Sequence, residues 1–392
     1  MRFRQLPFEY AFRNIGRSRV RLVTSVLGAA LVVLLMLAAV GFARGMNQTL
    51  HRHQGLYENV IVLGSGSEEA LERSQIDAAV EGVIAASVRG LRTEAGRPFV
   101  SPEVHMALPV RESATSEREL NAVFRGVRPV ALLVHADVEI VEGRAPEQGL
   151  DEIMVGALAA TRLGVPDERL AIGRTIYFDH RDWTVVGRFS APDTVMDAEI
   201  WMPLTDLQIA TKRESTISCV IATLDVASFD SVDLVAKSRL DLEITAMREA
   251  DYYASIAAFY RPIRFMVFAT ATLIAIGGLL GGLNTMYASF ASRVREVGTL
   301  QSMGFTRAAI TLNLVEESVF IASCGTLIGV AVGMLTLDGL AIRFSMGAFA
   351  LALDAPVILI GVIAGLLVGL VGAIPPVIRC LRLPIVEALK SF

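Results

Sequence analysis

The sequence predicts a membrane α-helical protein: four transmembrane helices, with a large α+β extracytoplasmic domain between helices 1 and 2. Three observations predict it. The 392 residues are 53% hydrophobic, with a mean hydropathy of +0.52. That is too apolar for an ordinary soluble domain and too polar for a chain buried wholly in lipid. Four stretches reach the roughly 20 apolar residues that a hydrocarbon span needs. Charge is also divided: residues 45–260 hold 33 acidic and 20 basic side chains, and the remainder holds 7 and 16.

The expected order begins with a basic amphipathic segment, 1–21, carrying Arg2, Arg4, Arg13, Arg17, Arg19 and Arg21. The first span follows at 22–44, with an apolar core from Leu22 to Ala43. That core is longer than a signal peptide's and starts late, so it reads as a retained anchor. The second span is expected at 261–290, the third at 314–335 and the fourth at 356–378. Arg293, Arg295 and Arg307 occupy the connection 291–313, and Arg379, Arg382 and Lys390 the tail 379–392. The connection 336–355 carries Arg343 beside Asp338 and Asp354. Arginine and lysine accumulate on the cytoplasmic side. Both termini and 291–313 are therefore expected in the cytoplasm, with 45–260 and the short loop 336–355 on the far side of the membrane. A basic inner face suits anionic lipid headgroups, and the acidic exterior part speaks against nucleic-acid binding.

Within 45–260, short β-type runs alternate with helical ones. Strands are expected at Asn59–Leu63, Glu152–Gly156 and Glu199–Met202. A hairpin is expected from Arg174–Phe178 and Trp183–Phe189, turning at Asp179–Asp182. Helices are expected at Ser74–Ala86, Ala157–Leu163, Phe229–Arg239 and Met247–Tyr260. Trp183 and Trp201 read as core residues.

The stretch 292–307 is the most informative. Val294, Val297, Leu300 and Met303 recur at helical spacing, Gly304 can end the helix and Thr306 can cap the next one. An amphipathic helix between two spans can receive a cytoplasmic partner or lie on the lipid surface; periodicity leaves both open. Glycines recur every four residues in three spans: Gly277/Gly281 with Gly278/Gly282, Gly325/Gly329/Gly333 and Gly361/Gly365/Gly369. Such spacing permits close helix packing, within one chain or between two. Glu316 and Glu317 can complement a helix N-terminus at the interface or mark a proton or substrate site. His51 and His53 lack a third metal ligand nearby. Cys219, Cys324 and Cys380 form no disulfide or metal pattern. No catalytic, cofactor-binding or metal-binding set emerges. No G-x-x-x-x-G-K-[ST] motif occurs, so any ATP-derived energy is expected from a separate polypeptide.

The stretch Arg293-Val-Arg-Glu-Val-Gly-Thr-Leu-Gln-Ser-Met-Gly-Phe-Thr-Arg307, followed by Leu314-Val-Glu-Glu-Ser318, resembles the signature of MacB/LolC/FtsX-type ABC transporter permeases. Ala11–Arg19 and Pro375–Lys390 resemble that family's ends. Val141–Arg144, Glu152–Val155 and Trp183–Arg188 resemble its MacB-like periplasmic core domain. The resemblance implies a coupling helix that docks on an ATPase subunit. It assigns that role to Arg295, Glu296, Gly298, Thr299, Leu300, Met303 and Gly304. Gln301 and Ser302 depart from the Lys and Ala usual there. The resemblance further implies ATP and Mg bound by the partner ATPase, in two copies. It also implies a second permease copy, identical or similar, packed in part through glycines such as Gly277, Gly281, Gly325, Gly329, Gly361 and Gly365. Export or extraction of an amphiphile (lipid, lipoprotein, peptide or drug) is the implied activity, with a periplasmic adaptor or lipoprotein as a further partner. FtsX-like signalling to a cell-wall hydrolase is the alternative.

Overall fold

The computed structural model describes residues 19–51, 58–291, 293–344 and 347–382. The N-terminal motif up to Ser18, His53 and the end of the C-terminal motif lie outside them. In chain order the elements are α1 (Arg19–His51), β1 (Asn59–Gly64), α2 (Val80–Ser87), β2 (Val100–Val110), β3 (Leu120–Val127), α3 (Ala131–Val134), β4 (Glu139–Gly143) and β5 (Glu152–Gly156). Then come α4 (Ala159–Leu163), β6 (Thr175–Phe178), β7 (Arg181–Ser190), β8 (Ile200–Pro203), α5 (Leu204–Ala210), β9 (Cys219–Thr223), α6 (Phe229–Ser238), β10 (Ile244–Arg248) and α7 (Glu249–Phe259). The chain finishes with α8 (Arg261–Ala291), α9 (Val294–Ser302), α10 (Arg307–Thr336), β11 (Ala341–Phe344), β12 (Gly347–Ala350) and α11 (Ala355–Arg382). It forms two compact units, one of residues 45–261 with 341–350, the other of the remainder.

The first is a sheet unit. Its ten-stranded mixed sheet runs β10-β1-β9-β2-β3-β8-β5-β7-β4, with β6 paired to β7. Strand β2 joins two halves of this sheet: Val100–Glu103 pairs with β9, and Val104–Val110 with β3. Both tryptophans are core, with Trp183 1% and Trp201 0% exposed. The expected hairpin forms between β6 and β7. Its two turn residues, Asp179 and His180, both take positive φ (+48 and +62), which suits the twist of a two-residue hairpin.

Two expectations need correction here. The helix read at Ser74–Ala86 is only Val80–Ser87, because Ile76–Asp77 pairs as a strand with Thr216–Ile217. Buried Ser74 holds the chain extended: its Oγ accepts from Gly64 N at 2.9 Å and donates to Ser218 O at 2.5 Å. The connection 336–355, read as a loop, contains the β11–β12 hairpin. This hairpin belongs to the sheet unit, where Ala348 and Phe349 are buried and Arg162 Nη1 donates to Phe344 O at 3.4 Å.

The second is a helical unit. α1, α8, α10 and α11 each contain a stretch long and apolar enough to cross a membrane. α11 continues through Pro375 and Pro376 to Arg382, which brings Val377 and Leu381 against α9.

Candidate functional site

The short helix α9 is built by strong local signals. Arg293 stands at its N-cap. At its other end Gly304 takes φ +88, Gly304 N donates to Gln301 O and Phe305 N to Leu300 O. That is the glycine-terminated helix end with its accompanying apolar contact, since Leu300 and Phe305 share one cluster. Thr306 then caps α10, its Oγ1 accepting from Ala309 N at 3.2 Å.

Exposure sorts the seven coupling candidates. Val297 (4% exposed) and Leu300 (8%) face inward. They pack on Ile310 and Leu314 of α10 and Val377 and Leu381 of α11. Gly298 is buried with them. Arg295, Thr299 and Gly304 are exposed, as is Met303 at 55%. The apolar periodicity of α9 therefore serves its own bundle, and Met303 departs from that face. With that face covered, α9 has no broad apolar stripe left to sink into lipid. What it offers outward is a mixed rim of Arg295, Thr299, Ser302, Met303 and Gly304.

Glu296 looks sideways instead. Arg293 Nε donates to Glu296 Oε2 at 3.0 Å, and Arg293 Nη1 to Glu317 Oε2 at 2.7 Å. Glu317 sits ten residues into α10, well past the helix N-terminus, with its side chain 4% exposed. Its buried ion pair replaces the helix-terminus role considered for it.

The glycines separate equally clearly. A Cβ on Gly325 would stand 2.6 Å from Val26 O, and one on Gly329 2.7 Å from Ala30 O, so both let α10 lie against α1. Gly361 meets Leu37 of α1, and Gly365 meets Thr326 of α10. A Cβ on Gly277 or Gly281 would meet nothing within 4 Å. Gly281 instead borders a cavity of about 380 Å³ that Gly28, Gly278 and Gly369 also line.

The sheet unit holds a second polar assembly that the sequence reading missed. Arg125 of β3, 1% exposed, donates Nη1 to Glu103 Oε2 at 2.6 Å, Nε to Glu199 Oε2 at 2.7 Å and Nη2 to Glu199 Oε1 at 2.8 Å. His135 Nε2 lies 2.8 Å from Glu103 Oε1, and His105 Nε2 lies 3.1 Å from Glu199 Oε1. Ser101 Oγ donates to Glu103 Oε1 and Trp201 Nε1 to Glu199 Oε2, each at 2.8 Å. Burial by itself raises the Glu103 carboxyl, but the charges of His135 and Arg125 outweigh it and hold it down at about 2. Burial raises Glu199 too, and Arg125 and His105 hold it well below the usual carboxylate range. Burial lowers His135, yet Glu103 prevails and raises its imidazole above the ordinary value. The available signal was a charge inside an apolar strand run, Ala122-Val-Phe-Arg-Gly-Val127, since arginine is almost never fully buried unpaired.

Two stretches of the core-domain resemblance also meet. Arg144 Nη1 donates to Glu152 Oε2 at 2.7 Å. A Cβ on Gly143 would stand 2.2 Å from Val186 O, and one on Gly187 2.1 Å from Arg144 O, so both glycines serve the close crossing of β4 and β7.

The family profile described as MacB-like periplasmic core domain matches residues 22–239. A second, FtsX-like permease C-terminal, matches 268–385. The chain belongs to the MacB/FtsX-type ABC transporter permease family. Among its relatives is the ABC transporter permease YknZ of Bacillus subtilis, 21% identical over 97% of both chains. The macrolide export ATP-binding/permease protein MacB of Hahella chejuensis is 22% identical over 97% of this chain and 59% of its own length. MacB of Bdellovibrio bacteriovorus is 22% identical over 82% and 52% respectively. The permease thus spans YknZ almost entirely and between half and three fifths of these two MacB proteins. The crystal structure of the periplasmic region of MacB from Actinobacillus actinomycetemcomitans aligns with 51% of the chain and 92% of its own, at 12% identity and a TM-score of 0.38. This permease is accordingly a multi-pass membrane protein with a mixed α/β domain between its first two membrane helices.

Proposed function

We propose that this permease works with a separate ABC ATPase, two copies of each forming the complex. ATP hydrolysis in the ATPase moves α9 and with it the helical unit. The movement reaches the MacB-like domain, which exports or extracts an amphiphile (a lipid, lipoprotein, peptide or drug) on the far side of a bacterial inner membrane. Both termini and α9 then lie in the cytoplasm, and residues 45–260 in the periplasm. ATP and Mg belong to the ATPase, and this chain is a non-catalytic subunit. The observation that carries the reading is the outward rim of α9, set between two membrane helices of a MacB/FtsX-type permease with its apolar face already buried. Signalling to a periplasmic hydrolase uses the same coupling and differs only in what the far side meets.

The test is affinity purification of the tagged permease from native membranes in mild detergent, with proteins and lipids read by mass spectrometry. A Walker-motif ATPase near one-to-one is expected, and it should be lost from the Arg295→Glu/Met303→Asp variant while the permease itself stays monodisperse. Absence of any ATPase, under conditions that preserve other membrane complexes, would overturn the proposal. A copurifying lipid or lipoprotein favours transport, and a hydrolase favours signalling.

A further inference from the structure

The apolar seat of α9 explains how it stays attached to the bundle but not how its displacement is passed on in a set register. Apolar contacts are non-directional and tolerate sliding. The Arg293 contacts are directional. One guanidinium grips Glu296, in the first turn of α9, and Glu317 of α10. Glu317 lies about 15 Å along α10 from its start, at 1.5 Å rise per residue. Arg293 is also nearly enclosed, at 11% side-chain exposure. A buried ion pair is a poor choice for plain stability, because desolvation consumes most of its attraction, but it fixes geometry.

We infer that Arg293, with Glu296 and Glu317, is a positioning clamp that converts movement of α9 into movement of α10. It acts behind the docking rim, not within it. The inference rests on the proposed coupling to an ATPase and adds which contact carries the motion inward. Loss of the clamp should leave the ATPase bound and disconnect its turnover from the membrane helices.

The experiment compares the full permease with its copurified ATPase in lipid nanodiscs. It covers wild type, Arg293→Met, Glu317→Gln and the exchange Arg293→Glu/Glu317→Arg. ATPase recovery and ATP hydrolysis relative to the free ATPase are both measured. The single variants should recover wild-type amounts of ATPase. The permease-dependent change in hydrolysis should shrink roughly two- to thirtyfold, the range for residues that carry coupling between sites. The exchange variant restores the 293–317 pair across the two helices while setting a carboxylate beside Glu296, so it should regain part of that change, which a merely structural role would not require. Unaltered hydrolysis in both single variants would overturn the clamp. So would loss of ATPase binding from them with a folded permease, because the pair would then be building the docking surface. If wild type itself recovers no ATPase, the proposed function fails and the clamp with it. Should Arg293→Met not fold, Glu317→Gln and the exchange variant still decide.

Discussion

The two units of this permease bury opposite things. The sheet unit encloses its largest side chains, Trp183, Trp201, Phe124 and Phe189, and with them a network of ionised groups around Arg125. The helical unit encloses its smallest: Gly325, Gly329, Gly361 and Gly365 sit at helix crossings. Many of its large apolar side chains, such as Leu27, Phe265, Leu273, Leu327 and Leu359, face outward. Water drives the first arrangement, because removing apolar area from water is what stabilises a soluble core. In lipid that drive between helices is absent, and close backbone approach supplies the attraction instead. The same chain therefore needs volume at the centre of the sheet unit and its absence where helices of the other unit cross.

This contrast can be broken by experiment. The largest expected effect is at the ionic network. Arg125→Met leaves Glu103 and Glu199 buried without their shared cation, which should cost about 3–5 kcal/mol. Trp183 and Trp201 are the chain's two tryptophans. Tryptophan fluorescence, excited selectively over tyrosine, in the full permease in detergent therefore reports unfolding of the sheet unit alone, and an unchanged transition would show the network to be dispensable.

The network should also make that transition depend on pH. Glu103 is held at about 2 in the fold, below its ordinary value of 4.5. Its contribution is present above about pH 4.5 and lost as pH falls towards 2, on the order of 3 kcal/mol in all. His135 is raised above 6.5. Its contribution has the opposite sign: it is present below 6.5 and lost as pH rises through the folded value. Glu103→Gln should flatten the acid side, and His135→Gln the alkaline side. A transition temperature that does not move between pH 3 and 6 would argue against the Glu103 assignment.

The helical unit should show a smaller, site-specific effect. Gly325→Leu drives a side chain into Val26 O and should destabilise the bundle by about 1–3 kcal/mol, read as loss of helical circular dichroism on heating. Gly277→Leu, with nothing within 4 Å of its Cβ, should stay within about 0.5 kcal/mol. Equal effects at the two positions would mean that the glycine spacing is not what sets the packing.

The sequence by itself determined the four spans, the α/β domain between the first two, and the helix break at Gly304 and cap at Thr306. Each is local: a span is a sum of transfer energies over about 20 neighbours, and a cap is a bond across three residues. Only the tertiary structure decided which face of α9 turns inward, because Val297 and Leu300 are equally apolar whether their neighbours are lipid, an ATPase or Leu314 and Val377. It likewise decided that Gly329 packs while Gly277 has open space beside it, although both stand in the same four-residue spacing. The network is the extreme case. Glu103, Arg125, His135 and Glu199 come from four separate segments; Arg125 stands out in its apolar run, but nothing local names its partners. Strand β2 crossing from one half of the sheet to the other gathers them, and once they are buried, desolvation demands that they pair.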